Sequence, residues 1–150
     1  MPVDPDLIGH AWPPQTYVVG REKVREFASA VGETAPACHD VDAAVALGHP
    51  DLVAPPTFAM VVTARPFEAM IADPALGLDF SRVVHGDQAF TYTRSVHAGD
   101  ELAVTMSLES LKVLAGNEVV GIRAVVADDT GAPVLSSLMT LVVRAPEAAS

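Results

Sequence analysis

An antiparallel sheet wrapped round one buried helix, an α+β fold, is what this 150-residue sequence predicts. Three observations lead there. Val53 to Arg65 is the most apolar helix-compatible stretch: Phe58, Val61, Val62 and Arg65 recur at 3- and 4-residue spacing, and Ala59, Met60 and Ala64 leave few polar positions. A helix that is apolar nearly all round belongs in a core, and this one is too short and interrupted to span a membrane. After Val83 the apolar pattern changes to a period of two, the mark of strands. Helices thus precede strands in the chain, the order of a sheet with its helices segregated to one side.

Residues 1–14 are proline-rich and carry the only tryptophan. They read as an extended arm packed down by Leu7, Ile8 and Trp12. Gln15 to Val19 is a short strand with Tyr17 and Val19 on one face. Arg21 to Val31 is an amphipathic helix, with Val24, Phe27, Ala28 and Val31 at i, i+3, i+4 and i+7 and Gly32 as its stop. Gly32 to Asp40 is a loop, and Val41 to Leu47 is a short helix ended by Gly48. His49-Pro50-Asp51 is a turn before the central helix. Pro55-Pro56 sets the start of that helix, since the first turn has no use for their missing N–H groups. Pro66 is expected to kink or end it, leaving Ala69 to Phe80 as a surface loop. Ala89 to Val96 alternates Phe90, Tyr92 and Arg94 against Thr91, Thr93 and Ser95. Leu102, Val104, Met106 and Leu108 continue the pattern to about Val113. Two more strands, Val119 to Ala127 and Val134 to Arg144, flank Asp128-Asp-Thr-Gly131, a hairpin signal. The tail 145–150 should be loose.

The totals fit one domain over 1–150, with half its residues apolar and room for a core. The start Met-Pro-Val-Asp-Pro-Asp carries no basic flank or long apolar run, so no signal peptide is expected. The single cysteine, Cys38, has no internal partner, which suits the cytoplasm. A net charge of −10 argues against a nucleic-acid partner. It also means that an anionic ligand would need a local basic patch drawn from only nine Lys and Arg. Arg21, Lys23 and Arg25 are the densest such group; a solvated helix face is the plainer reading.

The sequence contains no Gly-rich phosphate loop, zinc spacing or Gly-x-Ser-x-Gly elbow, so neither a metal nor a separate cofactor is expected. His10, His49 and His97 fall in the arm and in turns. His39, near Glu33 and Asp40, and His85, near Asp87, have a carboxylate close by, as a general base would; such pairs are more often structural.

Gly32-Glu-Thr-Ala-Pro36, Ala46-Leu-Gly48, Val53-Ala-Pro-Pro-Thr-Phe58, Val84-His-Gly-Asp-Gln88 and Ala98-Gly-Asp100 together resemble the MaoC-like dehydratase family, in its N-terminal-type domains. The resemblance runs from about residue 7 to 144. It is greatest to small single-domain members such as the non-catalytic subunit of heterodimeric 3-hydroxyacyl-carrier-protein dehydratases. It implies a hot-dog fold, a dimer, and an acyl thioester of coenzyme A or acyl-carrier protein as substrate or ligand. Active members carry Asp-x-Asn-Pro-x-His in the loop before the short helix; Asp and His activate the water that adds to a 2-enoyl thioester. A backbone N–H at the start of the central helix holds the thioester oxygen. Here Glu33 stands at the Asp position, Ala35 at Asn and Cys38 at His, with His39 one residue later; Pro36 matches. The Ala-His-Gly-Met that opens the family's helix becomes Ala54-Pro55-Pro56-Thr57, which removes the usual donor.

The resemblance therefore implies a catalytically degenerate subunit that pairs with a MaoC-type catalytic subunit in fatty-acid metabolism. Pro56, Thr57, Phe58 and Val61, with Met60 and Val62, would line the acyl channel. His85, Asp87 and Gln88 would orient the thioester or its pantetheine arm. Three alternatives stand beside it. One is a self-sufficient (R)-specific enoyl-thioester hydratase, a homodimer and hydro-lyase, using Glu33 with His39 or His85. Another is a hot-dog thioesterase in which Glu33 activates water. The last is a non-enzymatic acyl-thioester binder.

Overall fold

A computed structural model describes residues 2–148. Five strands form one antiparallel sheet in the order β1-β3-β4-β5-β2: β1 is Gln15–Val18, β2 Val83–Tyr92, β3 Glu101–Leu114, β4 Asn117–Ala127 and β5 Pro133–Val143. The helices are α1 (Arg21–Ala30), α2 (Val41–Ala46) and the central α3 (Ala59–Ile71), which is led in by a 3-10 turn, Pro56–Phe58. α3 packs across β3 and β1. Phe58, Val62 and Met70 are fully buried against Leu102, Leu108, Ile122 and Leu141. This is the hot-dog arrangement expected.

The period of two decides which face of each strand enters the core. In β3, Leu102, Val104, Met106 and Leu108 are buried while their neighbours are not; in β5 the same alternation runs from Leu135 to Val143. The β4–β5 connection is held by Asp128, whose Oδ1 accepts from the Thr130 N–H (2.9 Å), the Thr130 hydroxyl (2.6 Å) and the Ala132 N–H (3.0 Å). Gly131 supplies the positive φ that this turn requires.

Four expectations need correction. Pro66 does not end the central helix: α3 runs through it to Ile71, so Ala69–Ile71 is helix and only the residues beyond it are loop. A helical proline forfeits one hydrogen bond, but Pro66 is buried in the core-facing side, and that packing offsets the loss. The strand that the change of period at Val83 announces does begin there, but it ends at Tyr92 rather than Val96. It stops because the Thr93 and Arg94 N–H groups both donate to the Val134 carbonyl, at 2.8 and 3.3 Å, and Arg94 turns to bind Asp100. Val31 and Ile8 are exposed rather than packed; α1 closes at Ala30. In the arm, Val3 and Trp12 are the buried residues, and Trp12 Nε1 donates to Asp73 Oδ2 at 2.8 Å. The arm is hydrogen-bonded along β3 through Gly9, His10 and Trp12. Of the tail, Ala145 N–H donates to Asn117 Oδ1 at 2.9 Å; 149–150, like residue 1, lie outside the described residues.

Candidate functional site

The loop after α1 is shaped by its own hydrogen bonds. Glu33 N–H donates to the Ala28 carbonyl, closing the helix, and the chain then makes a 3-10 turn over Pro36–Cys38. Arg25 Nε donates to the His39 carbonyl at 2.9 Å, and Asp40 caps α2 through the Asp42 N–H. Val53 N–H donates to the Ala37 carbonyl, which brings the start of the central helix against the loop. Residues far apart in sequence thus surround one cavity of about 180 Å³, lined by Glu33, Cys38, Val53 to Pro56, Tyr92, Ser95 and Val96.

The groups that would do acid–base work each make one hydrogen bond within the loop. Glu33 Oε1 accepts from the Ala35 N–H at 2.9 Å. The His39 ring is turned back on the loop, with Nε2 2.7 Å from the Glu33 carbonyl; donation to that carbonyl fixes the tautomer with the proton on Nε2. Cys38 is only 6% exposed, and its thiol is pushed up from its ordinary value, first by burial and then by the Glu33 charge. A buried thiol held protonated is neither nucleophile nor base.

At the start of α3, Pro55 and Pro56 have no N–H to offer. Phe58 N–H donates to the Pro55 carbonyl at 2.9 Å. The phenol of Tyr92, from the end of β2, donates to the Pro56 carbonyl. Burial pushes the Tyr92 pKa up, and the Ala59 N–H works against that shift. Tyr92 therefore ties the end of β2 to the 3-10 turn that leads into the helix. Sequence reasoning missed this residue. The alternation of Phe90 and Tyr92 marks an inward-facing phenol, but nothing local shows that β2 delivers it to Pro56.

The other candidates lie elsewhere. Thr57 is exposed, and Phe58 is fully buried as core rather than cavity lining. Val61 and Val62 line a separate groove beside β1. His85 Nε2 lies 3.1 Å from the Asp87 carbonyl, beside a bulge in the β2–β5 ladder. His85 borders an apolar cavity of about 300 Å³ with Met60, Phe67, Ile71, Phe80 and Met139. Asp87 is exposed. Gln88 Nε2 donates to Ser137 Oγ at 2.7 Å, and its buried Oε1 has no partner among the described residues. So the structure brings Glu33, Cys38 and Pro56 together and leaves the His85–Gln88 group outside that cavity. The basic cluster on α1 is dispersed: Arg21 is bidentate to Asp51 and Arg25 pairs with Glu22. Among the described residues, no group of three His, Cys, Asp or Glu is placed to hold a metal, and no helix is long and apolar enough to cross a membrane.

Residues 6–137 match the family model described as FAS1-like, dehydratase domain region. The chain belongs to this MaoC-like dehydratase family. It is 54% identical to a UPF0336 protein of Streptomyces griseus, over 99% of this chain and all of that one. It is 50% identical to a UPF0336 protein of Clavibacter michiganensis, over 99% of this chain and 100% of that one. Among solved structures it is similar to the C-terminally truncated HadBC (3R-hydroxyacyl-ACP dehydratase) complex of Mycobacterium tuberculosis. That match has a TM-score of 0.80 and 34% identity over 91% of this chain and 97% of that chain. A MaoC-like dehydratase matches with a TM-score of 0.86 and 29% identity over 94% of this chain but 43% of its own, so the present chain spans under half of that protein.

Proposed function

We propose that this chain is an acyl-thioester-binding, catalytically degenerate subunit of a hot-dog 3-hydroxyacyl-thioester dehydratase in fatty-acid metabolism, paired with a MaoC-type subunit that carries the catalytic Asp and His. The observation that carries this reading is the altered motif itself: the buried thiol of Cys38, held protonated, stands at the His position, and Pro55 and Pro56 leave no amide at the helix start. Glu33 Oε1 and His39 Nε2 are also tied into the loop, by the Ala35 N–H and the Glu33 carbonyl.

Binding capacity survives where catalysis does not. The cavity along Met60, Phe67, Ile71 and Met139 is apolar and suits an acyl chain. It lies by β2, an edge strand of the sheet, with Phe80 and Val84 exposed beside it. An apolar edge of this kind suits a second subunit. A partnership with another chain is further supported by the relative solved as a 3R-hydroxyacyl-ACP dehydratase complex.

Loss of enoyl absorbance from a medium-chain 2-enoyl-CoA tests the reading, with the chain alone and with a MaoC-type partner. No turnover alone, and turnover with the partner above that of the partner by itself, is expected. Glu33→Gln should leave the stimulated rate within about twofold. Turnover by the isolated chain, abolished by Glu33→Gln, would replace this reading with a self-sufficient hydratase.

A further inference from the structure

We infer that the contact between His49 and His97 is a proton-sensitive clasp, closed at neutral pH and released in acid, that controls entry to the cavity lined by Glu33 and Cys38. The clasp joins two connectors. His49 lies between α2 and α3, and His97 between β2 and β3. His49 Nδ1 is 3.1 Å from His97 Nε2, and the ring centroids are 5.2 Å apart, so the two nitrogens face each other between the rings. One carries the proton and the other accepts it. The backbone zips the same connectors together. Ala54 N–H donates to the Val96 carbonyl and Ala98 N–H to the Leu52 carbonyl, both at 2.9 Å, around an isolated antiparallel bridge between Val53 and His97.

This short zipper is a wall of the cavity. Val53 and Ala54 come from one of its sides, and Ser95 and Val96 from the other. Parting the two sides widens the cavity and leaves the sheet whole, because neither connector is one of its five strands. Leu52, Ala54, Val96 and Ala98 are buried along the zipper, so it stays shut until something forces it apart.

The proton count supplies that force. One extra proton is tolerated, since an imidazolium can donate to its neutral neighbour. A second leaves two N–H groups and two positive charges facing each other across 3.1 Å, with no lone pair between them. The nearby carboxylates are not free to absorb this charge. Asp51, on the His49 connector, is bidentate to Arg21 of α1 and accepts from the Leu52 N–H, and Arg25 of α1 adds its field there. Asp100, beside His97, accepts from Arg94 with both oxygens and from the His97 N–H. Asp128, from the β4–β5 turn, is itself 3.7 Å from Arg94. Burial holds the His97 pKa below its ordinary value, which keeps the pair neutral and the clasp closed near pH 7.

Amide hydrogen exchange of the purified chain, corrected for the intrinsic rate at each pH, tests the clasp. The Ala54 and Ala98 amides should lose about fivefold or more in protection between pH 7.5 and 5. At pH 5 they should exchange about tenfold or more faster than amides inside β3 and β4, the mark of a local opening. His49→Asn and His97→Gln each set an uncharged amide at the facing nitrogen and should abolish the loss; His10→Gln, in the arm, should leave it as in wild type. Cys38 lines the cavity and is the chain's only cysteine, so its reaction with 4,4′-dithiodipyridine reports entry. Wild type and His49→Asn should react alike at pH 7.5, and wild type about fivefold or more faster at pH 5; the thiol's own ionisation cancels in that ratio. Unchanged protection at the two pH values, a loss shared by both clasp variants, or a Cys38 rate ratio that stays near one would each overturn the inference. No thioester enters these measurements, so their outcome is independent of the function proposed above.

Discussion

Replacing Tyr92 by phenylalanine removes one oxygen from the junction of β2 and α3 and leaves the ring in place. The Pro56 carbonyl loses its donor but sits on an exposed residue and regains water. The phenol makes one hydrogen bond there, to that carbonyl, and a typical intramolecular hydrogen bond contributes about 0.5–1.5 kcal/mol net. In a domain of this size each kcal/mol lowers Tm by about 2–4 °C, so a fall of about 1–6 °C is expected. Differential scanning calorimetry of the variant beside Tyr17→Phe gives the comparison. Tyr17 makes no side-chain hydrogen bond among the described residues, although burial also raises its pKa; its variant should melt within about 1 °C of wild type. Equal melting of Tyr92→Phe and wild type would refute the reasoning: the Tyr92–Pro56 hydrogen bond would then contribute nothing to stability.

Three further outcomes follow from the charges. Burial, aided by the neighbouring His49 and Arg94 and opposed by Asp100 and Asp51, lowers the His97 pKa below 6.5. The unfolded chain therefore takes up that proton first, so stability falls as pH drops below about 6.5. Urea melts from pH 7.5 to 5 should show this slope, and His97→Gln should flatten it. Asp51, Asp73, Asp79 and Asp128 are held below their usual range, chiefly by hydrogen bonds, with Asp79 at about 2. Their stabilisation is present above about pH 4 and lost as pH falls through the folded values, so melts between pH 4 and 2 should show a steep decline. Arg94 is bidentate to Asp100, at 2.9 and 3.1 Å, and also donates to the Ser95 carbonyl. Arg94→Met leaves a mostly buried carboxylate whose other contact is the His97 N–H, and should cost about 1–3 kcal/mol in urea melts.

The sheet and its helix were legible because their signals are local and repeated. Alternation from Leu102 to Leu108 and the Asp128–Gly131 turn survive any error at one residue. Pro66 was misread for the opposite reason: the rule against helical proline weighs one missing hydrogen bond and cannot see the core into which the ring packs. Ile8 and Val31 were assigned inward because they extend an apolar pattern past the point where the element ends. In the site, Glu33, Cys38 and Pro56 were found through resemblance to a motif. Their convergence depends on the Val53–Ala37 hydrogen bond, which no local pattern announces. Tyr92, Arg94 with Asp100, and the contact between His49 and His97 at 3.1 Å join residues that the chain separates, and the sequence carries no mark of their pairing.

The two prolines at the head of α3 would make the loss of chemistry proposed above hard to reverse. Cys38→His would return an imidazole to the loop, but the helix would still present no amide at Pro55 or Pro56. Replacing Pro56 would restore one N–H, in a turn whose carbonyl already accepts from the Tyr92 phenol. No single step yields a working centre, so none is visible to selection on its own. Under the silent-subunit proposal, a lineage past this point would depend on its catalytic companion for good. The surfaces that recognise that companion would then carry the selective pressure once borne by the acid and the base.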